Sequence, residues 1–142
     1  MRILTPPIVG LLLGLAGEAV AEPAVVSFEF APLRSDRGQV VCRLYAVAEA
    51  WMKVPWRDAS VAVRAGRATC SFAEVPPGTY AMSAFHDENG NKKLDTNLLG
   101  MPKEGVCASN QAKGVMGPPK WKAASFVYSG GALRQQLVMR YL

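Results

Sequence analysis

Four oxygen-bearing side chains recur with short, regular spacing near the middle of the chain, directly after an apolar stretch. Asp87, Asn89, Asn91 and Asp95 occupy positions 1, 3, 5 and 9 of a DxNxNxxxD pattern. A Ca²⁺ ion takes six to eight oxygen ligands, and a tight loop with ligands at alternate residues can wrap around it. Lys93 falls at position 7, which supplies a backbone carbonyl in related loops. The spacing therefore predicts a calcium-binding loop.

The pattern departs from the EF-hand loop at its second half. Lys92 stands at position 6, where a glycine makes the sharp turn, and Leu98 stands at position 12, where a bidentate glutamate is usual. No helix-forming segments flank the loop. Glu104 is the candidate for the missing final ligand, because a turn at residues 100–102 could bring the chain back over the loop.

A surface turn without a metal is the alternative interpretation of the same residues. Asp, Asn and Gly are the residues that turns prefer, and their side chains can hold the backbone by local hydrogen bonds. His86, which precedes Asp87, would then orient the loop backbone through a ring hydrogen bond. Lys92 and Lys93 would weaken a cation site unless both ammonium groups point to solvent.

The beginning of the sequence has the features of an export signal. Arg2 gives a basic start, residues 8–16 are apolar, and the small residues at 19–21 resemble a cleavage site. We therefore predict a signal peptide over residues 1–21 and one domain over residues 22–142, located in the periplasm or secreted. The apolar stretch is too short for a membrane span, which needs about 20 residues.

The net charge of +5 bounds the choice of partner. An exported basic protein is expected to meet an envelope component such as lipid phosphate, lipopolysaccharide or acidic polysaccharide, and not nucleic acid. The basic residues are scattered from Arg34 to Arg140, with no cluster longer than two. Such scattering favours a solvated surface over a dedicated anion site.

Short stretches of alternating apolar and polar residues, separated by turn residues, predict strands and no long helix. The candidate strands are residues 26–30, 40–46, 60–63, 67–72, 79–86, 125–128 and 133–141. About seven strands at this spacing predict a single all-β domain, an immunoglobulin-like β-sandwich.

The cysteines agree with export. Cys42 and Cys70 each fall on the apolar face of a predicted strand, so both should point into the core. In an oxidising compartment we expect them to form a disulfide between neighbouring strands. Cys107 is then left over, either as a small, partly buried loop residue or as a reactive or intermolecular thiol.

The region from residue 77 to residue 105 resembles a known family of exported bacterial proteins, domain of unknown function 2141. The resemblance is carried by PGTYA at 77–81, HDENGN at 86–91, LDTN at 94–97, GMP at 100–102 and KEG at 103–105. The resemblance implies a prealbumin-like Greek-key sandwich, cysteines at the positions of Cys42 and Cys70, and no established activity. Lys92 and Cys107 depart from the family pattern, which has glycine at both positions.

The sequence offers little support for catalysis. His86 is the only histidine, and its neighbour Asp87 should point to the opposite face of the strand, where it cannot orient the ring. No GxSxG, HExxH or phosphate-binding glycine loop is present in the sequence. We therefore expect a protein that is not an enzyme.

Two functional classes remain open. The first is an exported structural or interaction module, stiffened by a disulfide and by Ca²⁺. The second is a periplasmic carrier of a small apolar or anionic ligand, with residues 100–124 as a movable cover over an apolar cavity. Such a cavity would lie under Met101, Val106, Met116 and Trp121.

Overall fold

The computed structural model describes residues 23–142 together with Gly10 and Gly14. Its strands are β1 Val25–Phe30, β2 Gln39–Tyr45, β3 Arg57–Ala62, β4 Ala68–Ala73, β5 Gly78–Asp87, β6 Val106–Ala108, β7 Phe126–Tyr128 and β8 Ala132–Leu137. Helical structure among these residues consists of the short helix α1, Trp121–Ala124, and single 3-10 turns at Ala48–Ala50 and Ser109–Gln111.

The predicted signal peptide, apart from Gly10 and Gly14, lies outside the described residues. Among the residues that are described, none belongs to a helix with the length and apolar character that crossing a membrane requires.

The strands form two packed sheets. The smaller sheet has the order β4-β1-β8, in which β1 runs antiparallel to β4 and parallel to β8. The larger sheet has the order β3-β2-β5-β6, and all its pairings are antiparallel. The first residues of β5 pair with β7 and its later residues pair with β6. The predicted all-β sandwich is confirmed.

The main core lies between the two sheets and follows the alternation of side chains along each strand. Val26, Phe28 and Phe30 of β1 are completely buried. Phe28 packs edge-on against Phe72 and Phe126, with ring centroids 6.4 Å and 5.9 Å away. Each such aromatic burial contributes about 1.5–3 kcal/mol to folding, so β1 anchors the smaller sheet.

A disulfide joins the two sheets through this core. Cys42 on β2 and Cys70 on β4 are bonded, with their Cα atoms 6.5 Å apart. The predicted pair is confirmed, but its placement between neighbouring strands is wrong, because β2 and β4 belong to different sheets. Because side chains alternate between the two faces of a strand, both cysteines point inward from opposite sheets and meet in the core.

The central strand β5 is buried on both faces. One face enters the main core, and Ala81 on the other face packs against Ala108 and Ala124 in a second, smaller cluster. Trp51 and Trp121 cover this cluster, with ring centroids 6.0 Å apart. The short helix α1, through Ala124, therefore lies over the outer face of the larger sheet.

All seven predicted strands are present, with shifted ends. β3 begins at Arg57, three residues before the predicted start. The additional strand is β6, and Cys107 lies at its centre, so the expectation of a loop around Cys107 is wrong.

Candidate functional site

Asp87 fixes the candidate loop to the sheet. It is the last residue of β5 and is completely buried. Its Oδ1 accepts a hydrogen bond from the backbone N–H of Asn91 at 3.2 Å, and its Oδ2 accepts one from that of Lys92 at 2.8 Å. Oδ2 also accepts from the amide of Gln39, its cross-strand neighbour, at 2.9 Å. These donors offset the cost of burying the carboxylate.

The side chains of Asn89, Asn91 and Asp95 converge beside this anchor. Nδ2 of Asn89 lies 2.6 Å from Oδ2 of Asp95, and Nδ2 of Asn91 lies 2.9 Å from Oδ1 of Asp95. The bonds from Asn91 and Asn89 favour the ionised form and lower the pKa of Asp95. Alternate spacing therefore brings three of the predicted ligands to one point.

The backbone between these ligands turns through two left-handed residues. Gly90 has φ +72° and Lys92 has φ +60°. Lys92 thus adopts the conformation for which the EF-hand loop uses glycine, although a residue with a Cβ is strained there. The loop therefore makes the sharp turn of an EF-hand loop with lysine in place of glycine at position 6.

Glu104 closes the loop from the other side. The chain returns through a hairpin in which the N–H of Lys103 donates to the carbonyl oxygen of Asp95 at 2.8 Å. Glu104 is buried, and its carboxylate accepts backbone N–H bonds from Glu88 at 2.9 Å and from Asp95 at 3.0 Å. The chain brings Glu104 back over the loop, as predicted. Its carboxylate oxygens bind the backbone at the two ends of the loop.

Glu88 ties the loop to the segment before β2. It accepts hydrogen bonds from Nε of Arg34 at 2.9 Å and from the hydroxyl of Ser35 at 2.7 Å, and it forms an ion pair with Arg34. The hydrogen bond from Arg34 is the main reason that the pKa of Glu88 is lowered. No local sequence pattern predicts this contact, because Arg34 and Glu88 are 54 residues apart.

His86 is completely buried and uses both ring nitrogens outside the 87–95 loop. Nε2 lies 2.8 Å from the carbonyl oxygen of Arg37, and Nδ1 lies 2.8 Å from the hydroxyl of Tyr141. A carbonyl only accepts, so Nε2 carries the proton and Nδ1 accepts from Tyr141. Burial raises the pKa of that hydroxyl. Neither ring nitrogen bonds the backbone of the 87–95 loop, so the ring hydrogen bonds of His86 do not perform the predicted loop-orienting role.

A Ca²⁺ ion in this loop would require a local rearrangement of its side chains. Within residues 23–142, no three His, Cys, Asp or Glu side chains come close enough to hold a metal by themselves, so amide and backbone oxygens must complete the site. Each accepting oxygen has two lone pairs, and hydrogen bonds to Asp87 and Glu104 leave some of them free. Asn89 and Asn91 present their Nδ2 groups to Asp95, while their Oδ1 atoms accept backbone N–H bonds at 3.3 Å and 2.9 Å. Both amides must therefore rotate and release these bonds to offer oxygen to an ion. Amide rotation of this kind changes no covalent geometry.

The exposure of the two lysines is compatible with a cation in the loop. Lys92 and Lys93 are both exposed, so their ammonium groups can remain in water, where charge repulsion is weakest. The backbone N–H of Lys93 donates to Oδ1 of Asn91 at 2.9 Å. The backbone carbonyl of Lys93 remains the predicted ligand at position 7.

Two of the groups that could act as nucleophiles, Ser109 and Cys107, are buried. The Ser109 hydroxyl lies 2.9 Å from the backbone N of Met82 and also bonds the carbonyl oxygen of Ala124. Burial raises the pKa of the Cys107 thiol to about 12, which keeps it neutral at physiological pH. Cys42 and Cys70 are consumed by the disulfide.

Residues 100–124, considered above as a movable cover, are held to the sandwich. Besides the bonds of Ser109, the amide nitrogen of Asn110 donates to the carbonyl oxygen of Ser125 at 2.8 Å, and that of Gln111 donates to the carbonyl oxygen of Val138 at 2.8 Å. Met116 points to solvent and is 101% exposed. Two open surface depressions lie elsewhere, beside β3 and β4 and near Pro32.

The fold and the loop together define a β-sandwich module with an Asp- and Asn-rich loop at the end of its longest described strand. Residues 29–136 match the family described as an uncharacterized protein conserved in bacteria, domain of unknown function 2141. The chain belongs to this family, and the family predicted from the sequence is confirmed. No curated protein and no solved structure matches the chain.

Proposed function

We propose that this protein is a non-catalytic structural or interaction module of the bacterial cell envelope, with a Ca²⁺ ion bound by its 87–95 loop. The convergence of Asn89, Asn91 and Asp95 inside a loop closed by Glu104 carries the proposal. A bound ion would link the end of β5 to the hairpin that follows and relieve the negative charge gathered there. Extracellular modules bind Ca²⁺ with dissociation constants of about 10⁻⁴–10⁻³ M.

The location outside the cytoplasm is supported by the disulfide between Cys42 and Cys70. Disulfides persist in the periplasm and in secreted proteins, whereas thiol systems keep cytosolic cysteines reduced. The sequence at residues 1–21 has the signal-peptide pattern, which supports the same location.

The absence of catalysis is supported by the state of the reactive groups. A histidine that acts as a general base needs a ring nitrogen within hydrogen-bond reach of the proton that it takes. His86 is instead buried between Arg37 and Tyr141, and the Cys107 thiol is neutral because burial raises its pKa to about 12.

Thermal denaturation in Ca²⁺ and in chelator tests the calcium proposal. At a free Ca²⁺ concentration one hundred times Kd, the folded state should gain about 2.7 kcal/mol. Asp95→Asn keeps the size of a predicted ligand but removes its charge, so it should reduce this gain strongly. Asp58→Asn removes an exposed carboxylate on β3 and serves as the control, which should keep the gain. Identical melting curves of the unmodified protein in Ca²⁺ and in chelator would refute the proposal.

A further inference from the structure

The hairpin of residues 95–103, which we call the apolar hairpin, carries two adjacent leucines at its tip. Leu98 is 106% exposed and Leu99 is 88% exposed. Single exposed leucines are common on protein surfaces, but turn tips usually carry Asn, Asp, Gly or Ser. Met101, two residues further, is also exposed. The tip therefore concentrates apolar surface where turn chemistry does not require it.

The backbone of the apolar hairpin holds these leucines outward. Oδ1 of Asn97 accepts the backbone N–H bonds of Leu99 at 2.9 Å and Met101 at 3.0 Å. The N–H of Asn97 donates to the carbonyl oxygen of Met101 at 2.8 Å, and Thr96 and Pro102 form a β-bridge. These hydrogen bonds close the turn within the hairpin and leave the side chains of Leu98 and Leu99 in solvent.

Three exposed lysines flank the base of the apolar hairpin. Lys103 lies within it, and Lys92 and Lys93 lie in the adjoining loop; all three are exposed. Four carboxylates lie near these lysines, and each has a hydrogen-bond or ion-pair partner. Asp87 and Glu104 are buried against backbone N–H donors. Glu88 is paired with Arg34, and Asp95 accepts from the side-chain amides of the loop.

We propose that the apolar hairpin docks the protein onto an anionic lipid bilayer, with Leu98 and Leu99 entering the headgroup region. The tip is convex, so it suits a soft, deformable surface, and the lysines at its base match lipid phosphates. Apolar side chains that enter the interface and basic residues that face anionic lipids act together in such docking. The docking goes beyond the calcium proposal and does not require an ion in the loop.

Cosedimentation with lipid vesicles in chelator tests the docking. The protein should bind phosphatidylcholine vesicles that contain phosphatidylglycerol more tightly than vesicles of phosphatidylcholine alone. The double variant Leu98→Ser, Leu99→Ser should bind at least about tenfold more weakly, because two apolar side chains no longer enter the interface. Its melting temperature should be unchanged, since both side chains are solvent-exposed. Wild type and variants share residues 1–22, so a difference in vesicle binding between them reports the substituted residues.

A second exposed apolar pair provides the matched control. Val115 and Met116 are 92% and 101% exposed and have Lys113 nearby in sequence. The double variant Val115→Ser, Met116→Ser should retain vesicle binding, whereas Lys93→Gln with Lys103→Gln should remove the preference for phosphatidylglycerol.

Three outcomes would overturn the docking. One is that the unmodified protein binds no vesicles. Another is that the leucine variant binds vesicles as well as wild type does. The third is that the leucine substitutions change only the oligomeric state measured by light scattering, which would assign the tip to a second copy of the chain. Repeating the assay with Ca²⁺ shows whether an ion in the loop strengthens docking, and the result in chelator decides the docking itself.

Discussion

Lys92 is a residue whose side chain conflicts with its backbone. Its φ of +60° costs about 1–2 kcal/mol for a residue with a Cβ, and glycine carries no such penalty. Lys92→Gly should therefore stabilise the protein by up to about 1 kcal/mol, after the extra entropy of glycine in the unfolded chain is subtracted. The variant should also bind Ca²⁺ more tightly, because it removes a positive charge. Urea denaturation and a calorimetric Ca²⁺ titration measure the two effects.

The matched control is Lys93→Gly, which removes the same charge at the next position. Lys93 does not have a positive φ, so glycine should destabilise the loop there by about 0.5–1 kcal/mol. Equal changes in stability for the two variants would show that the backbone of Lys92 is not strained.

Glu88 should make stability depend on acid pH. Its pKa is lowered from the ordinary 4.5, first because of the hydrogen bond from Arg34. The stabilisation is therefore present above about pH 4.5 and is lost as the pH falls through the folded-state pKa. Glu88→Gln should lose about 1 kcal/mol at pH 7 and should show a smaller fall in stability between pH 7 and pH 3. An unchanged pH profile in urea denaturation would contradict this.

Among the elements, the strands were predictable because alternation is a local signal. β1 and β2 combine alternation with aromatic and β-branched residues, which favour strands. The convergence of side chains in the 87–95 loop was predictable for the same reason, because spacing within nine residues decides which side chains meet. The hairpin turn at residues 100–102 carries its own Gly and Pro, so the return of Glu104 could also be anticipated.

The missed features depend on contacts that no local pattern encodes. β6 has only three residues, and it is a strand because β5 offers it an edge. The partners of His86 are Arg37 and Tyr141, which are 49 and 55 residues away in the sequence. The left-handed backbone at Lys92 could not be predicted, because lysine, unlike glycine, rarely adopts a positive φ.

Close packing at the start of β6 should make Gly105 intolerant of a side chain. A Cβ at this position would lie 2.5 Å from Cε1 of Tyr141. Gly105→Ala should therefore cost about 1–3 kcal/mol, because it displaces the ring that donates to His86. Urea denaturation of a double-mutant cycle with Tyr141→Ala measures the coupling, and most of the cost should disappear when the ring is absent. Equal costs in both backgrounds would show that the ring is not the obstacle.

In the whole molecule, the disulfide is a covalent link between the two sheets. It closes a segment with a sequence separation of 28 residues, and the loop-closure model assigns about 3–4 kcal/mol to such a bridge. Replacing both Cys42 and Cys70 by alanine should lower the melting temperature by roughly 10–20 °C. The same comparison in a Cys107→Ala background excludes thiol exchange. An unchanged melting temperature would mean that the two sheets hold together without the bridge.

The 87–95 loop and the apolar hairpin meet at Asp95. The N–H of Lys103 donates to the carbonyl oxygen of Asp95, and the carboxylate of Glu104 accepts from the N–H of Asp95. An ion in the loop would therefore stiffen the hairpin and add positive charge beside its lysines. Calcium binding and contact with the envelope would then be linked through one unit at the end of β5.

A Ca²⁺ titration followed through the backbone amide resonances tests the central claim most directly, because it reports both binding and its location. Amides of residues 88–95 and of Glu104 should shift together and saturate near millimolar Ca²⁺. Amides of β3 should stay in place. No shift at about 10 mM Ca²⁺, roughly tenfold above the weakest expected Kd, would contradict calcium binding by this loop, as would shifts confined to residues outside it.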